Sequence, residues 1–155
     1  MKRTISIMMS LIVLYACGGQ EPNASVNNAS SNNEAAANPS YDPQRGEGKF
    51  SKVEINTAID EKLVQGGSKV FAVKCSACHK LTGEKLVGPG WKGVTERFKP
   101  EWIMNFVTNT DAMLNKDPKA QAQLEICLVR MPNQNVTDEE ARNIYEFMRK
   151  NDSKK

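Results

Sequence analysis

Residues 75–79 read Cys-Ser-Ala-Cys-His, and His79 is the only histidine among 155 residues. Two thiols three positions apart, followed at once by an imidazole, bring both sulfurs and a ring nitrogen onto one turn of backbone. That is the spacing with which a chain bonds covalently to the two vinyl groups of haem while the imidazole takes the iron. A thioredoxin-like dithiol requires a βαβ context, and a zinc site requires a fourth ligand and a second paired knuckle; the sequence offers neither. A single His also excludes bis-histidine ligation. Cys75, Cys78 and His79 are therefore the expected attachment and ligating residues of one covalent haem c.

The position opposite His79 is then expected to hold a methionine or, as the less favoured choice, a lysine. Met104 and Met148 fall inside apolar helical stripes, where packing is the default role. Met131 precedes Pro132 in the polar loop Pro-Asn-Gln-Asn, where a fixed, non-helical backbone can aim its sulfur. It is the favoured ligand, with Met113 as the rival and simple packing as the plainer role for either. With both axial positions filled, chemistry at the metal is disfavoured and one-electron transfer remains, the thioether raising the potential relative to bis-His ligation. The alternative is a peroxidase-like or gas-binding haem protein, which needs a displaceable sixth ligand.

Apolar spacing places helices around this motif. Ile59, Leu63, Gly67, Val70 and Phe71 predict a helix over 58–74, in which Gly66 and Gly67 are costly unless a second helix passes close to Gly67. Pro100 opens a helix bearing Trp102, Ile103, Phe106 and Val107, and Asp117-Pro118 caps another running to about Val129. Thr137 and Glu140 form a capping box ahead of Ala141, Ile144, Tyr145, Phe147 and Met148. With no strand–helix alternation and no repeat, an all-α domain is expected over 53–152. Phe71, Trp91, Trp102 and Phe106 are the expected haem walls; the two tryptophans are either plain core or carry an indole N–H to a haem propionate. Cys127, in the run Leu124, Ile126, Cys127, Leu128, is expected to be a buried small hydrophobe.

Upstream, Lys2 and Arg3 precede a short apolar stretch from Ile5 to Ala16 that is too brief to span a bilayer as a mature helix. Residues 1–16 read as a lipoprotein signal peptide, because Leu14-Tyr15-Ala16-Cys17 resembles a bacterial lipobox in which Cys17 becomes the lipidated first residue; an ordinary cleaved signal is the alternative. Residues 17–40 are Gly, Ser, Asn and Ala with hardly a large apolar side chain. A flexible linker reaching roughly 25–30 Å is expected there. Residues 41–52 form an N-terminal extension, and 41–57 as a whole are expected to lie against the domain as irregular or short-strand chain.

The formal charge of +3 falls to +1 without Lys2 and Arg3, too little for a field that steers the protein to nucleic acid. Locally, Lys74, Lys80, Lys85, Lys92, Arg97 and Lys99 outnumber Glu84 and Glu96. They predict either a basic ring that attracts acidic partners or an ordinary mixed surface.

Residues 53–152 resemble a class I monohaem cytochrome c. Gly67 and Phe71 stand eight and four residues before Cys75 as in that family, Ile144 and Phe147 match its contact positions on the last helix, and Met131-Pro132 resembles its distal loop. The resemblance implies helices packed around one covalently bound haem, with the terminal helices crossing at Gly67. Gly88-Pro89 resembles the family loop whose proline carbonyl accepts a hydrogen bond from the ligating His, which makes Pro89 a cofactor-binding residue. More narrowly, the chain is similar to lipid-anchored cytochromes of bacterial respiratory chains, some of which serve nitrous oxide reductases. The resemblance thus implies a monomeric electron carrier, not an enzyme, held by its lipid at the periplasmic membrane face. Its donor would be a quinol-oxidising complex and its acceptor a terminal oxidase or reductase.

Overall fold

The computed structural model describes residues 41–154. The signal peptide, Cys17 and the linker expected over 17–40 lie outside the described residues. The helices are α1 (Glu61–Val70), α2 (Val94–Arg97), α3 (Pro100–Thr108), α4 (Thr110–Lys116), α5 (Pro118–Cys127) and α6 (Asp138–Asp152). The only β feature among the described residues is an isolated bridge between His79 and Lys85, and the fold is all-α, as expected.

Local chemistry sets the helix ends. The first helix begins at Glu61, three residues later than its apolar spacing implies, because the Asp60 carboxylate accepts the N–H groups of Lys62 (2.9 Å) and Leu63 (3.2 Å) and so fixes the N-cap. Its far end widens at Phe71–Cys75 into a π-helical turn, in which the Ser76 N–H reaches back to the Phe71 carbonyl (2.9 Å). Pro100 and Pro118 occupy the first positions of α3 and α5, and Asp117 caps α5 through the Ala120 N–H (2.7 Å). The capping box on α6 is complete: Thr137 Oγ1 accepts the Glu140 N–H (3.2 Å) and Glu140 Oε2 accepts the Thr137 N–H (2.9 Å).

The frame is the crossing of α1 and α6. A Cβ at Gly67 would stand 2.6 Å from the Phe147 Cβ and 2.7 Å from the Asn143 carbonyl carbon, so only glycine lets the two backbones approach this closely. Beside the crossing, the fully buried Glu146 pairs with Arg142 (2.5 Å) and Arg149 (2.7 Å) and takes the Asp60 N–H (3.2 Å). A carboxylate on α6 thereby fixes the start of α1, and its buried charge is compensated on the spot.

Helix α3 forms the floor of the core, with Trp102, Ile103, Met104, Asn105 and Val107 all buried. Asn105 anchors the segment before α1: its amide donates to the carbonyls of Arg45 (3.0 Å) and Phe50 (2.9 Å), and its oxygen accepts the Phe50 N–H (2.9 Å). Glu101 accepts the Val53 N–H (2.8 Å). Residues 41–57 thus lie against the domain, as expected, but form no strand; side chains of α3 satisfy their backbone in place of a partner strand. Met113 is fully buried under this segment, its sulfur accepting the Glu47 N–H (3.0 Å). No helix among the described residues is long and apolar enough to cross a membrane.

Candidate functional site

The π-helical turn delivers the motif. It leaves Val73 84% exposed while rotating Cys75 inward to 8%. The N–H groups of Cys78 and His79 both return to the Cys75 carbonyl (3.1 and 3.0 Å), so Cys75, Cys78 and His79 share one tight turn. Burial is the main reason the Cys75 thiol is pushed up to about 11, with Lys74 opposing and Glu140 reinforcing the shift. It stands as a neutral thiol rather than a thiolate.

The following loop folds back onto that turn. The Val87 and Gly88 N–H groups donate to the Cys78 carbonyl (3.2 and 2.9 Å), and the Trp91 N–H donates to the Lys80 carbonyl (2.9 Å). This brings the Pro89 carbonyl 2.8 Å from His79 Nδ1. A carbonyl only accepts, so the proton sits on Nδ1 and the lone pair on Nε2 is left to bind a metal. Burial lowers the imidazole below its ordinary value, and the bond to Pro89 partly restores it, which keeps the ring neutral and ligand-competent at pH 7. Gly88 lies against the ring face, where a Cβ would come within 2.8 Å of Nδ1.

Cys78, His79 and Pro89 open onto an apolar cavity of about 990 Å³, its mouth included, which Met131 and Pro132 also line. Trp91, Trp102, Phe106, Leu124 and Met148 supply further wall. Met131 is held from both sides: Arg130 donates to Asp111 (3.1 Å) and Asn115 (3.0 Å) on α4, and Lys74, next to Cys75, donates to the Asn135 carbonyl (3.2 Å) and pairs with Glu140 (2.8 Å). Met113 does not reach this cavity, because its sulfur faces the Glu47 N–H. An apolar slot with one neutral imidazole, the Cys78 thiol beside it and the Met131 thioether on its walls fits a haem. Among the described residues no cluster of three His, Cys, Asp or Glu could hold a bare metal ion.

Two expectations need correction, those for Phe71 and Cys127, and for Trp102 and the cations the structure decides between the alternatives the sequence left open. Phe71 is not a cavity wall; it packs behind, edge-on to Trp91 at 4.8 Å and against Phe147 at 5.6 Å. Trp102 gives its indole N–H to Asp117 (3.0 Å), which removes it as a propionate donor. Cys127 is only half-buried and lines the cavity, because four neighbouring apolar residues cannot all face inward from one helix. The cations stand on a mixed surface: Lys74 and Lys80 pair with Glu140 and Glu84, while Lys85 donates to the Ile126 carbonyl (2.9 Å) and Lys92 to carbonyls at the end of α6. Exposed apolar side chains instead occupy the two segments flanking the cavity: Leu86 and Val87 on one, Ile126, Leu128 and Val129 on the other. Their exposure was not legible in the sequence, since an apolar residue at a loop and one in a core look alike there.

Comparison with known proteins is consistent with this geometry. The cytochrome c family model matches residues 64–152. A cytochrome c from Rhodothermus marinus is 30% identical, with a TM-score of 0.67, over 70% of this chain and 92% of that one. An engineered cytochrome c from the same organism, Rma TDE, is 30% identical with a TM-score of 0.68, over 72% and 98%. The same engineered protein bound to a carbene intermediate superposes at 0.65, with the same identity and coverage. No curated protein matches. A helical fold built on a Gly67 crossing, a Cys-Ser-Ala-Cys-His turn opening onto an apolar cavity, and a family match across both together mean that the chain belongs to the cytochrome c family, a haem-based electron carrier with one covalently bound haem c.

Proposed function

We propose that the protein is a one-electron carrier with Cys75 and Cys78 as haem attachment points, His79 and Met131 as axial ligands, and Cys17 as a lipid anchor at the periplasmic membrane face. The observation that carries this reading is the cavity that Cys78, His79 and Met131 share, with His79 fixed in the ligating tautomer by Pro89. When bound, haem c supplies an Fe(II)/Fe(III) couple, which a soft thioether biases toward Fe(II). The chain's own part is to keep that couple rigid and dry. Pro89 orients His79, Arg130 and Lys74 hold the Met131 loop, and the aromatic walls exclude water, so little reorganises on electron transfer.

The donor is a quinol-oxidising complex and the acceptor a terminal oxidase or reductase, nitrous oxide reductase among the candidates. The apolar residues Val87, Leu128 and Val129 beside the cavity suit brief, weak contacts with such partners. The relative solved with a carbene intermediate motivates a second reading, an enzyme or gas-binding protein in which the sixth ligand gives way. Carbon monoxide separates the two. The carrier reading predicts a single one-electron wave on redox titration, no carbon monoxide adduct of the ferrous wild type, and release of the protein from the membrane fraction by Cys17→Ser. A ready adduct would move the second reading to first place.

A further inference from the structure

Asp117 is fully buried, and its carboxylate does more than cap α5. Oδ1 accepts the Ala120 N–H, while Oδ2 accepts both the Trp102 indole N–H (3.0 Å) and the hydroxyl of Tyr41. All three donors are neutral, and none of the described ion pairs includes Asp117. Three donors and no acceptor converge on the two oxygens, the arrangement that an acceptor-only carboxylate calls for. Trp102 is itself cavity wall, stacked between Phe98 (4.0 Å) and Phe106 (5.1 Å). The Trp102 indole therefore lies between the cavity and a buried carboxylate that has no ion-pair partner among the described residues.

We propose that Asp117 is a redox-tuning residue, its buried charge lowering the midpoint potential of the haem and Tyr41, from the N-terminal extension, setting how strongly that charge is felt. The proposal rests on haem occupying the cavity described above. Ferric iron carries one more positive charge than ferrous iron, so a fixed negative charge nearby favours the ferric state. The intervening aromatic stack is apolar and water-poor, where Coulomb interactions persist over longer distances than in solvent. The Tyr41 hydroxyl turns the positive end of its dipole toward the carboxylate and offsets part of the field. Burial first, then Asp117 itself, raises the Tyr41 phenol above its ordinary value, so this hydroxyl keeps its proton across the physiological range. The extension at 41–57 thereby acquires a role its sequence did not disclose: it carries the group that covers the Asp117 charge.

The test compares holoprotein midpoint potentials for wild type, Asp117→Asn and Tyr41→Phe, each at low and high salt. Asp117→Asn is expected to favour the reduced state by about tenfold, an upward shift of ~59 mV for one electron. Tyr41→Phe is expected to move the potential the opposite way and by less. Both shifts persist at high salt, because a buried charge is screened far less than a surface one. A potential unchanged within twofold in Asp117→Asn, or a shift that high salt abolishes, overturns the proposal. Should Asp117→Asn fail to yield holoprotein, Tyr41→Phe decides alone: a downward shift supports the proposal, and no shift or an upward one overturns it. Optical spectra of the same samples report the axial ligands separately, so a failure of the Met131 assignment would show in the bands without being mistaken for a failure here.

Discussion

Gly67→Val is expected to destabilise the domain by upward of ~4 kcal/mol, a large share of the ~5–15 kcal/mol that holds a typical domain together. The added Cβ would meet the Phe147 Cβ at 2.6 Å and the Asn143 carbonyl carbon at 2.7 Å. One neighbour is backbone and the other the stem of a large side chain, so relief requires α1 and α6 to separate. Overpacking of this kind ordinarily costs ~1–3 kcal/mol; two branches on a rigid crossing raise it further. Gly66→Ala is the internal control. Its Cβ would meet Asn143 Nδ2 at 2.8 Å, the end of a side chain that can turn away, and the helix gains ~1 kcal/mol of propensity. Urea unfolding of the two variants should therefore give midpoints far apart, with Gly66→Ala near wild type. Equal midpoints would mean that the helices do not cross at Gly67.

Gly88→Ala is expected to have the largest effect on the site while leaving the fold intact. The new methyl would press on the His79 ring, 2.8 Å from Nδ1 and 2.9 Å from Nε2. The ring cannot simply retreat, because Nδ1 is bonded to the Pro89 carbonyl and the Trp91 ring lies 5.8 Å away. Turning it breaks the bond that fixes the tautomer and swings Nε2 off target. Losing such a supporting contact typically costs roughly 10–100-fold in metal affinity, and the same factor is expected in the low-spin to high-spin ratio of the holoprotein. Gly83→Ala, in the same loop with open space around it, should keep the wild-type spectrum.

Much of this architecture was legible because it depends on local chemistry. Thr137 with Glu140, Pro100, and Asp117 with Pro118 each mark a helix start through a group that the first turn needs, and the structure uses each of them. Asp60 does the same for α1, but the apolar Ile59 just before it carries the helical spacing past the cap, so spacing alone implies a start three residues early. The seven-residue α4 has no clear signature in the sequence: Thr110–Lys116 is too short for its apolar spacing to stand out, and Asn109 separates it from α3 without a Pro or Gly. Gly67 was legible as a crossing because a glycine on an apolar helical face is costly without a close neighbour.

What the sequence hid is long-range. The anchoring of residues 41–57 depends on Asn105 and Glu101, some fifty residues away, and the three donors on Asp117 come from positions 41, 102 and 120. Of the cations clustered in sequence around the motif, Lys74 and Lys80 are held by carboxylates and Lys85 and Lys92 by helix-end carbonyls. Cys127 and its apolar neighbours divide between cavity and solvent because the helix ends there, with Leu128 in the left-handed conformation at φ 61°. None of these pairings has a local signature.

Met131, rather than Met113, completes the iron site with His79 in the carrier proposed above. The most direct test is the oxidised optical spectrum of the holoprotein beside those of Met131→Ala and Met113→Ala, followed in the far-red sulfur-to-iron band. The band is expected to be present in the wild type, to be lost in Met131→Ala together with low-spin character, and to survive in Met113→Ala, because the Met113 sulfur is buried away from the cavity against the Glu47 N–H. A band that persists without Met131, or disappears only without Met113, would contradict this assignment.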